Sequence, residues 1–495
     1  MKIFVARQSV CSLFILFLFT GFFCNTSGSC QVRPPAPDSL DRPPLVLIHQ
    51  IVIEGNKITR ASIISRELCI HEHDTIPLIK LPELLKRCRE NIFNTALFNI
   101  VTIDTIKSVG ESHVGASHVM PLQYIDIRIR VIERWYIWPW PYFVISDRNF
   151  NTWLETTDFS KVTYGINMTF FNMRGRNETL VFPVHLGFNQ RFGVAYRIPY
   201  MNKKKTIGIG FGADWNRNQE VVVRSIDNKP VYYKDLQNYP MQTGNAFLEF
   251  FLRPTIYSKH TFHIDYSQVI LSDSLIRIPD FSFDTKTSRF HYFSFSYQYK
   301  NDHRDIQFYP LRGYYFDVIV SQNGFFEKAV NLFSIRSSLR KYWQICNRWY
   351  FASGIQGKFS LPGDQPYFLQ RGLGYGRDYI RGYEYYVIDG QQFLLFKNNF
   401  KFAIIPQRIF VADILKSSKF NTIPYALYIN VFADFGYVYN ESKSQVEVNS
   451  LQNQLLTGYG IGLDFTTYYD IVIRVECSVN RQGSPGVYLH FIAPI

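Results

Sequence analysis

From about residue 138 onward, the chain repeats short segments in which apolar side chains alternate with polar or small ones. In one of them, Tyr459, Ile461 and Leu463 alternate with three glycines. A period of two places these two sets of side chains on opposite faces of a β-strand. We predict sixteen such strands, near residues 139–147, 162–172, 178–188, 191–199, 205–215, 242–252, 258–268, 289–300, 313–323, 331–343, 348–360, 393–404, 425–438, 457–466, 470–480 and 486–494.

These strands favour a membrane barrel over a soluble all-β sandwich, whose outer faces should be polar. Aromatic residues make up 17% of the chain, whereas the mean hydropathy is only −0.10. A transmembrane barrel needs this combination, because one strand face meets lipid, the other faces a wet lumen, and aromatic girdles mark both interfaces. The expected fold is therefore all-β, an antiparallel transmembrane β-barrel of about 16 strands over residues 138–495.

The N terminus has the features of a secretory signal peptide. Lys2 and Arg7 precede an apolar run over Val10–Phe23, and small residues follow. A charged, an apolar and a small-residue region in this order are typical of such peptides. We predict a signal peptide over residues 1–29 and a Pro-rich extended tether over 30–44. Because Ser27-Gly28-Ser29-Cys30 is a weak match to a lipoprotein box, lipidation of Cys30 stays open.

Neither the cysteines nor the charge indicate a metal site or a nucleic-acid partner. Of the seven cysteines, Cys11 and Cys24 leave with the signal peptide, and no C-x-x-C or Cys/His spacing indicates zinc. A Cys69–Cys88 bridge and two free thiols are equally compatible with a periplasmic location. The net charge of +13 is dispersed, so lipid headgroups and lipopolysaccharide are the expected anionic partners, and no nucleic acid is expected.

Residues 45–135 predict a small α+β domain in front of the barrel. A strand over 46–53 precedes a helix that Thr59 caps and that runs through Cys69. A second helix over about 81–97 and strands at 99–106 and 124–133 follow. The order β-α-α-β-β suits a small sheet that carries both helices on one face.

No catalytic constellation is evident, so we expect neither an enzyme nor a cofactor or metal. A G-x-S-x-G elbow is absent, and the histidines are scattered along predicted strands and loops. The segment Gly372–Gly376 is rich in glycine, but no helical pattern follows it, which makes it a poor phosphate cradle.

A long loop, predicted over residues 361–392, carries the tetrad Ile380, Arg381, Gly382 and Tyr383. The tetrad resembles the (V/I)RG(F/Y) motif of the BamA/TamA/FhaC superfamily of outer-membrane assembly and translocation barrels, which join POTRA domains to a bacterial surface antigen barrel. In that family the motif lies on a loop between strands eleven and twelve. Five predicted strands follow the loop here, which agrees with that position. The resemblance implies that the loop folds into the lumen.

A second family signature, FxDxG, is matched by Phe432, Asp434 and Gly436. Strand alternation places these three residues on one face. The resemblance implies that Arg381 pairs with Asp434 on the inner barrel wall. A planar guanidinium suits a carboxylate partner in a confined lumen, and Gly382 allows backbone conformations that a side chain would forbid.

The front domain resembles a POTRA (polypeptide-transport-associated) domain, with matching residues at 53–56, 94–101 and 127–131. Segments 171–177 and 197–200 are similar to further parts of the family barrels. Three departures stand out: only one POTRA-like unit fits before the barrel, no plug helix is evident in 31–44, and the C-terminal residue is not aromatic.

The resemblance implies an outer-membrane protein whose front domain lies in the periplasm and which assembles, inserts or translocates polypeptides. Expected clients are unfolded outer-membrane or secreted polypeptides, with accessory lipoproteins as further candidate partners. Clients would add a strand to the POTRA-like sheet. The barrel would open at a weak seam between the first and last strands, because Pro494 cannot donate to a ladder. A dedicated translocator for one secreted partner, and a passive pore or surface antigen without clients, are the alternatives.

Overall fold

The computed structural model of the protein describes residues 44–107, 123–145, 162–235, 238–278, 288–325, 330–363, 365, 367–412, 414–441, 449–467 and 469–491. All of them belong to one compact unit, Pro44–Ile495. The predicted signal peptide, Cys30 and Pro494 lie outside the described residues.

A small α+β domain begins the described chain. Its strands are β1 (Leu45–Glu54), β2 (Thr75–Pro77), β3 (Phe98–Lys107) and β4 (Gln123–Glu133), and its helices are α1 (Ala61–Ser65) and α2 (Leu81–Phe93). The sheet order is β2-β1-β4-β3, and only β1 and β4 are parallel. Alternate β4 residues Ile125, Ile127 and Ile129 are buried in one core with apolar residues of both helices. Cys69 and Cys88 are free thiols in contact with each other.

The first helix differs from the prediction of a Thr59-capped helix through Cys69, which is wrong. The helix ends at Ser65, its N-cap is Arg60, and no side chain caps it. The Thr59 hydroxyl instead accepts a hydrogen bond from Asn172 Nδ2 (2.8 Å) and lies 3.0 Å from the Tyr136 hydroxyl. A tertiary contact at the junction with the barrel therefore replaces the local cap. The three-residue β2 is an addition to the predicted β-α-α-β-β order.

Sixteen further strands form one antiparallel sheet, in which every strand pairs with its neighbour along the order. Between the fifth and sixth of them lies a separate hairpin of β10 (Glu220–Ile226) and β11 (Lys229–Lys234). The sixteen strands are β5 (Ile137–Ile145), β6 (Val162–Met173), β7 (Glu178–Gly187), β8 (Asn189–Ile198), β9 (Ile207–Asn218), β12 (Met241–Leu252), β13 (Ser258–Leu271), β14 (Arg289–Asp302), β15 (Gly313–Phe325), β16 (Leu332–Cys346), β17 (Trp349–Leu361), β18 (Gln392–Val411), β19 (Thr422–Tyr439), β20 (Leu455–Thr466), β21 (Val472–Asn480) and β22 (Pro485–His490). Short helices α3 (Asp273–Ile276) and α4 (Ser418–Asn421) lie between strands. The predicted sixteen-stranded barrel behind a small α+β domain is confirmed.

The two faces of the barrel sheet differ as the alternation predicted. On β20, Tyr459, Ile461 and Leu463 are between 43% and 56% exposed, whereas Asp464 is fully buried. An apolar outer band with polar residues inside is what a strand between lipid and a lumen requires. None of the helices in the described residues is both long enough and apolar enough to cross a bilayer.

The sheet ends at β5 and β22, and no backbone ladder joins these two strands within the described residues. β22 pairs with β21 from Val479↔Pro485 to Arg474↔His490. On the other side, β5 carries Pro139 and Pro141, which have no backbone N–H to donate. The predicted seam thus lacks main-chain pairing in this part of the chain.

Candidate functional site

The chain between β17 and β18 folds into the barrel as a loop over residues 362–391, here called the lumen loop. Leu373 and Ile388 form an antiparallel bridge within it, through backbone hydrogen bonds of 2.9 and 2.8 Å. Apolar residues of the loop and of the barrel wall share one buried cluster: Leu373, Ile380, Tyr383, Ile388, Phe393, Leu395, Val438, Leu451 and Leu456. Burial of this cluster fixes the loop against the wall.

Arg381 is fully buried and points at the wall. Its guanidinium donates to both carboxylate oxygens of Asp434, with Nε 2.8 Å from Oδ2 and Nη2 2.5 Å from Oδ1. Nη1 donates to Asn399 Oδ1 at 2.9 Å and lies 3.5 Å from Glu476 Oε1. The guanidinium also lies 3.8 Å from the ring centroid of Phe432, a cation–π distance. One side chain therefore contacts β18, β19 and β21.

The residues on either side of Arg381 fix its position. Gly382 has φ of +94°, a conformation that glycine adopts without steric cost, and its carbonyl accepts from Asn480 Nδ2 at 3.0 Å. The Tyr383 hydroxyl accepts from the backbone N–H of Arg481 at 3.2 Å. Ile380 packs on Gly436, where an added Cβ would lie 2.3 Å from the Ile380 Cδ1 atom. The structure thus brings the tetrad and Phe432, Asp434 and Gly436 into one site.

Two glycines of β20 complete the site, and sequence reasoning had assigned them no role. A Cβ at Gly458 would lie 1.8 Å from the Arg381 carbonyl oxygen, and one at Gly460 would lie 2.8 Å from the Phe432 ring. The lumen loop can approach the wall this closely only because Gly458 has no side chain, and Gly460 leaves space for the Phe432 ring of the neighbouring strand. The glycines at alternate positions of β20 are the sequence feature that could have predicted this close packing.

A second buried ion pair lies beside the first and was also missed. Arg474 donates to Asp464, with Nη2 2.6 Å from Oδ2. Asp464 also accepts from the Tyr309 hydroxyl at 2.6 Å and from Asn430 Nδ2 at 3.0 Å. Lys397, Asn399 and Lys401 of β18 are buried nearby, and the two lysine amines each lie 4.4 Å from an aromatic ring centroid. Charged residues at alternate positions of otherwise apolar strands were the signal for this polar interior.

At one end of the barrel the lumen loop meets the β10–β11 hairpin. Asp389 is fully buried and accepts hydrogen bonds from Ser225 and from the Tyr375 hydroxyl. Burial raises the pKa of the Asp389 carboxyl above its ordinary value. The backbone N–H of Val387 donates to the Asn228 carbonyl at 2.9 Å. These contacts join the loop to a hairpin that the sequence had not predicted.

The α+β domain docks on the turns at the other end of the barrel. Arg253, after β12, donates to both oxygens of the buried Glu67 carboxylate at 2.6 and 2.8 Å. Arg134 makes a bidentate ion pair with Asp470 at 2.8 Å for each bond. A Cβ at Gly175 would lie 2.0 Å from the Ile58 carbonyl oxygen, so the turn after β6 touches the domain backbone.

The arrangement is suited to holding a loop and a domain in place. Among the described residues, one group of three metal-ligand side chains converges beside the lumen loop, namely Glu384, Glu476 and His490. The sequence had indicated no such group, because its members are far apart in the chain.

Comparison with known proteins matches residues 172–467, more than half of the chain, to the model of the Omp85 superfamily domain. Among solved structures, BamA from Haemophilus ducreyi lacking POTRA domains 1-3 is 14% identical, with a TM-score of 0.47 over 90% of this chain and 83% of that one. CdiB from Acinetobacter baumannii is 13% identical, with a TM-score of 0.44 over 90% and 73%. CdiB from Escherichia coli is 9% identical, with a TM-score of 0.44 over 92% of both chains. No curated protein matches the chain.

Proposed function

The chain belongs to the Omp85 superfamily, and from this premise we propose that it inserts or translocates other polypeptides at the bacterial outer membrane. Clients bind the POTRA-like domain, which lies in the periplasm, and are handled at the barrel seam or in the lumen. The observation that carries the proposal is the interrupted sheet, in which β5 and β22 share no ladder within the described residues.

The seam supports client handling because it leaves main-chain groups without strand partners. β22 has only six residues, and Pro139 and Pro141 remove two donors from β5. Unpaired N–H and C=O groups on a strand edge are a template for another extended chain. A client strand can therefore pair there through its backbone, largely irrespective of its side chains.

The lumen loop supports the proposal because its contacts hold the strands on one side of that seam in place. Arg381 contacts Asn399, Asp434 and Glu476 on three strands, and Gly382 reaches Asn480 at the end of β21. The wall from β18 to β21 is thereby fastened to the loop on the side of the sheet that ends at β22.

The POTRA-like sheet offers a second edge for clients. β3 pairs only with β4 in the described part of the chain, so its outer edge is available for strand addition. Because main-chain hydrogen bonds do not read sequence, this edge suits unfolded clients of many kinds.

Conditional depletion followed by quantification of the outer-membrane and secreted proteomes tests the proposal. A broad fall in outer-membrane barrel proteins is the expected result for general assembly. Loss of one or two specific proteins would assign a dedicated translocator instead. An unchanged proteome together with ion conductance by the purified protein would contradict the proposal and favour a passive pore or surface antigen.

A further inference from the structure

Three side chains from separate segments converge between the lumen loop and the last barrel strand. His490 Nε2, on β22, lies 3.3 Å from Glu476 Oε2 of β21 and 3.7 Å from Glu384 Oε1 of the lumen loop. All three atoms are buried and none makes a well-aligned hydrogen bond, so the carboxylates and the imidazole are partners only as an ion pair with protonated His490. Buried polar atoms almost always have a partner, so with a neutral imidazole these three facing atoms need a shared ligand.

Each of the three residues is held by its other polar atom. The backbone N–H of Gly382 donates to Glu384 Oε2 at 2.8 Å. His490 Nδ1 lies 3.4 Å from the Tyr379 hydroxyl, and Glu476 Oε1 lies 3.5 and 3.4 Å from guanidinium nitrogens of Arg381 and Arg474. Such outer contacts orient the ligands of metal sites and leave the inner atom free for the ion.

The group lies among other buried charges. Arg381 and Arg474 each make a bidentate ion pair with an aspartate of their own. Glu476 Oε1 also faces both guanidiniums, whereas the His490 imidazole is the ion-pair partner found for Glu384 among the described residues. Two buried lysines are further cations near these pairs, with the Lys397 amine 4.4 Å from the Tyr379 ring centroid and the Lys401 amine 4.4 Å from the Tyr309 ring centroid.

We propose that Glu384, Glu476 and His490 bind a divalent transition-metal ion of the zinc class. Two ligands about 2.1 Å from a tetrahedral Zn²⁺ lie roughly 3.4 Å apart, which is close to the 3.3 and 3.7 Å observed here. One imidazole and two carboxylates are ordinary zinc ligands, and three of them leave a fourth position open. His490 also lines a cavity of about 440 Å³ in the lumen.

The bound ion would fasten the last strand to the lumen loop. Its three ligands come from β21, β22 and the loop, so binding restrains β22 at the edge that borders the seam. The site itself does not depend on the proposed function, because binding is measured on the purified chain without clients.

The test uses the full chain, purified in detergent and stripped with a chelator. Zn²⁺ is then titrated by calorimetry, and bound metal is counted by mass spectrometry. We expect Glu384→Gln and His490→Gln each to raise the Kd for Zn²⁺ at least about tenfold. His263→Gln is the matched control, because His263 Nδ1 lies 3.4 Å from Glu249 Oε1 in a pair outside this group, and it should leave the Kd unchanged.

Heat-dependent mobility on gels shows whether each variant keeps a folded barrel, and the folded variants are compared. The absence of Zn²⁺ binding by the wild-type chain would overturn the proposal and leave a protonated His490 paired with two carboxylates. An undiminished affinity in both Glu384→Gln and His490→Gln, or an equal loss in His263→Gln, would overturn it as well.

Discussion

Arg381 brings a full positive charge to a place with no solvent exposure. Transfer of an ion from water into such a place is costly, and a partner with complementary geometry must offset that cost. Asp434 supplies two oxygens to the planar guanidinium, and Asn399 accepts a third bond. Each of the two buried charges is therefore stabilised by the other, and removal of one leaves the other unpaired.

Arg381→Ala should destabilise the folded protein by about 3–5 kcal/mol, because it leaves Asp434 buried without its partner. Arg377→Ala is the matched control on the same loop, since Arg377 is exposed, and it should change stability by no more than about 0.5 kcal/mol. The temperature at which the barrel loses its compact mobility on gels measures both effects. Equal midpoints for the two variants would remove the ion pair from the explanation.

Gly458→Ala should displace the lumen loop, because the new methyl group would lie 1.8 Å from the Arg381 carbonyl oxygen. Gly357→Ala is a control on another barrel strand, where the nearest atom would be 3.5 Å away. We expect protease sensitivity of the loop to rise in the first variant only. Protection of the loop in both variants would show that the wall accommodates a side chain at Gly458.

At the scale of elements, the α+β domain is held to the barrel by a few polar contacts. The Glu67–Arg253 pair is largely buried, and the Tyr200 hydroxyl accepts a third bond from Arg253 at 2.7 Å. In contrast, the Arg87–Glu83 pair on α2 is more than half exposed. Exposed pairs stabilise little, whereas breaking a buried pair leaves an unpaired charge.

Arg253→Ala should therefore loosen the docking of the domain, and Arg87→Ala should not. Hydrogen exchange of the amides of α1 and of the segment after it measures the docking directly. We expect faster exchange there in Arg253→Ala, with the barrel strands unaffected. Unchanged exchange in Arg253→Ala would mean that Arg134–Asp470 and the Gly175 turn hold the domain on their own.

At the largest scale, the described residues form a barrel sheet with one junction that lacks a ladder. Fifteen neighbouring pairs in the sheet order are hydrogen-bonded antiparallel strands, whereas β5 and β22 have no such pairing in the described residues. The lumen loop contacts β22 through side chains, as in the 3.7 Å approach of Glu384 to His490, and these contacts supply no backbone ladder to β5. If the barrel opens, this junction requires the fewest bonds to break.

Locking the seam should abolish the proposed activity. Phe143 and Leu489 face outward on β5 and β22, so cysteines at these positions in a Cys477→Ser background give a bis-maleimide one accessible thiol on each strand that borders the seam. Ile461→Cys is the control, because it lies opposite the native Cys477 across an existing ladder and its crosslink should be harmless. Full client assembly by the seam-locked protein would contradict lateral opening.

Much of the architecture could be predicted from the sequence, because the responsible signals are local. Alternation along β20 determines which side chains face lipid whatever the neighbouring strand is. The β4 residues Ile125, Ile127 and Ile129 indicated a buried face in the same way. The tetrad around Arg381 and the segment around Asp434 pointed to a pairing only through their resemblance to a known family, since no local rule links residues so far apart.

Only the tertiary structure decided which distant residues meet. Thr59 had the local features of a helix cap, but the Tyr136 and Asn172 contacts determine its role. The role of Gly458 and the contact between Glu384 and His490 depend on the strand register and on the path of the lumen loop. A periodic pattern specifies the face of a strand, whereas contacts across a lumen depend on how sixteen strands and their loops close in space. The sequence by itself therefore determined the sixteen barrel strands and their faces, and the tertiary arrangement decided the site.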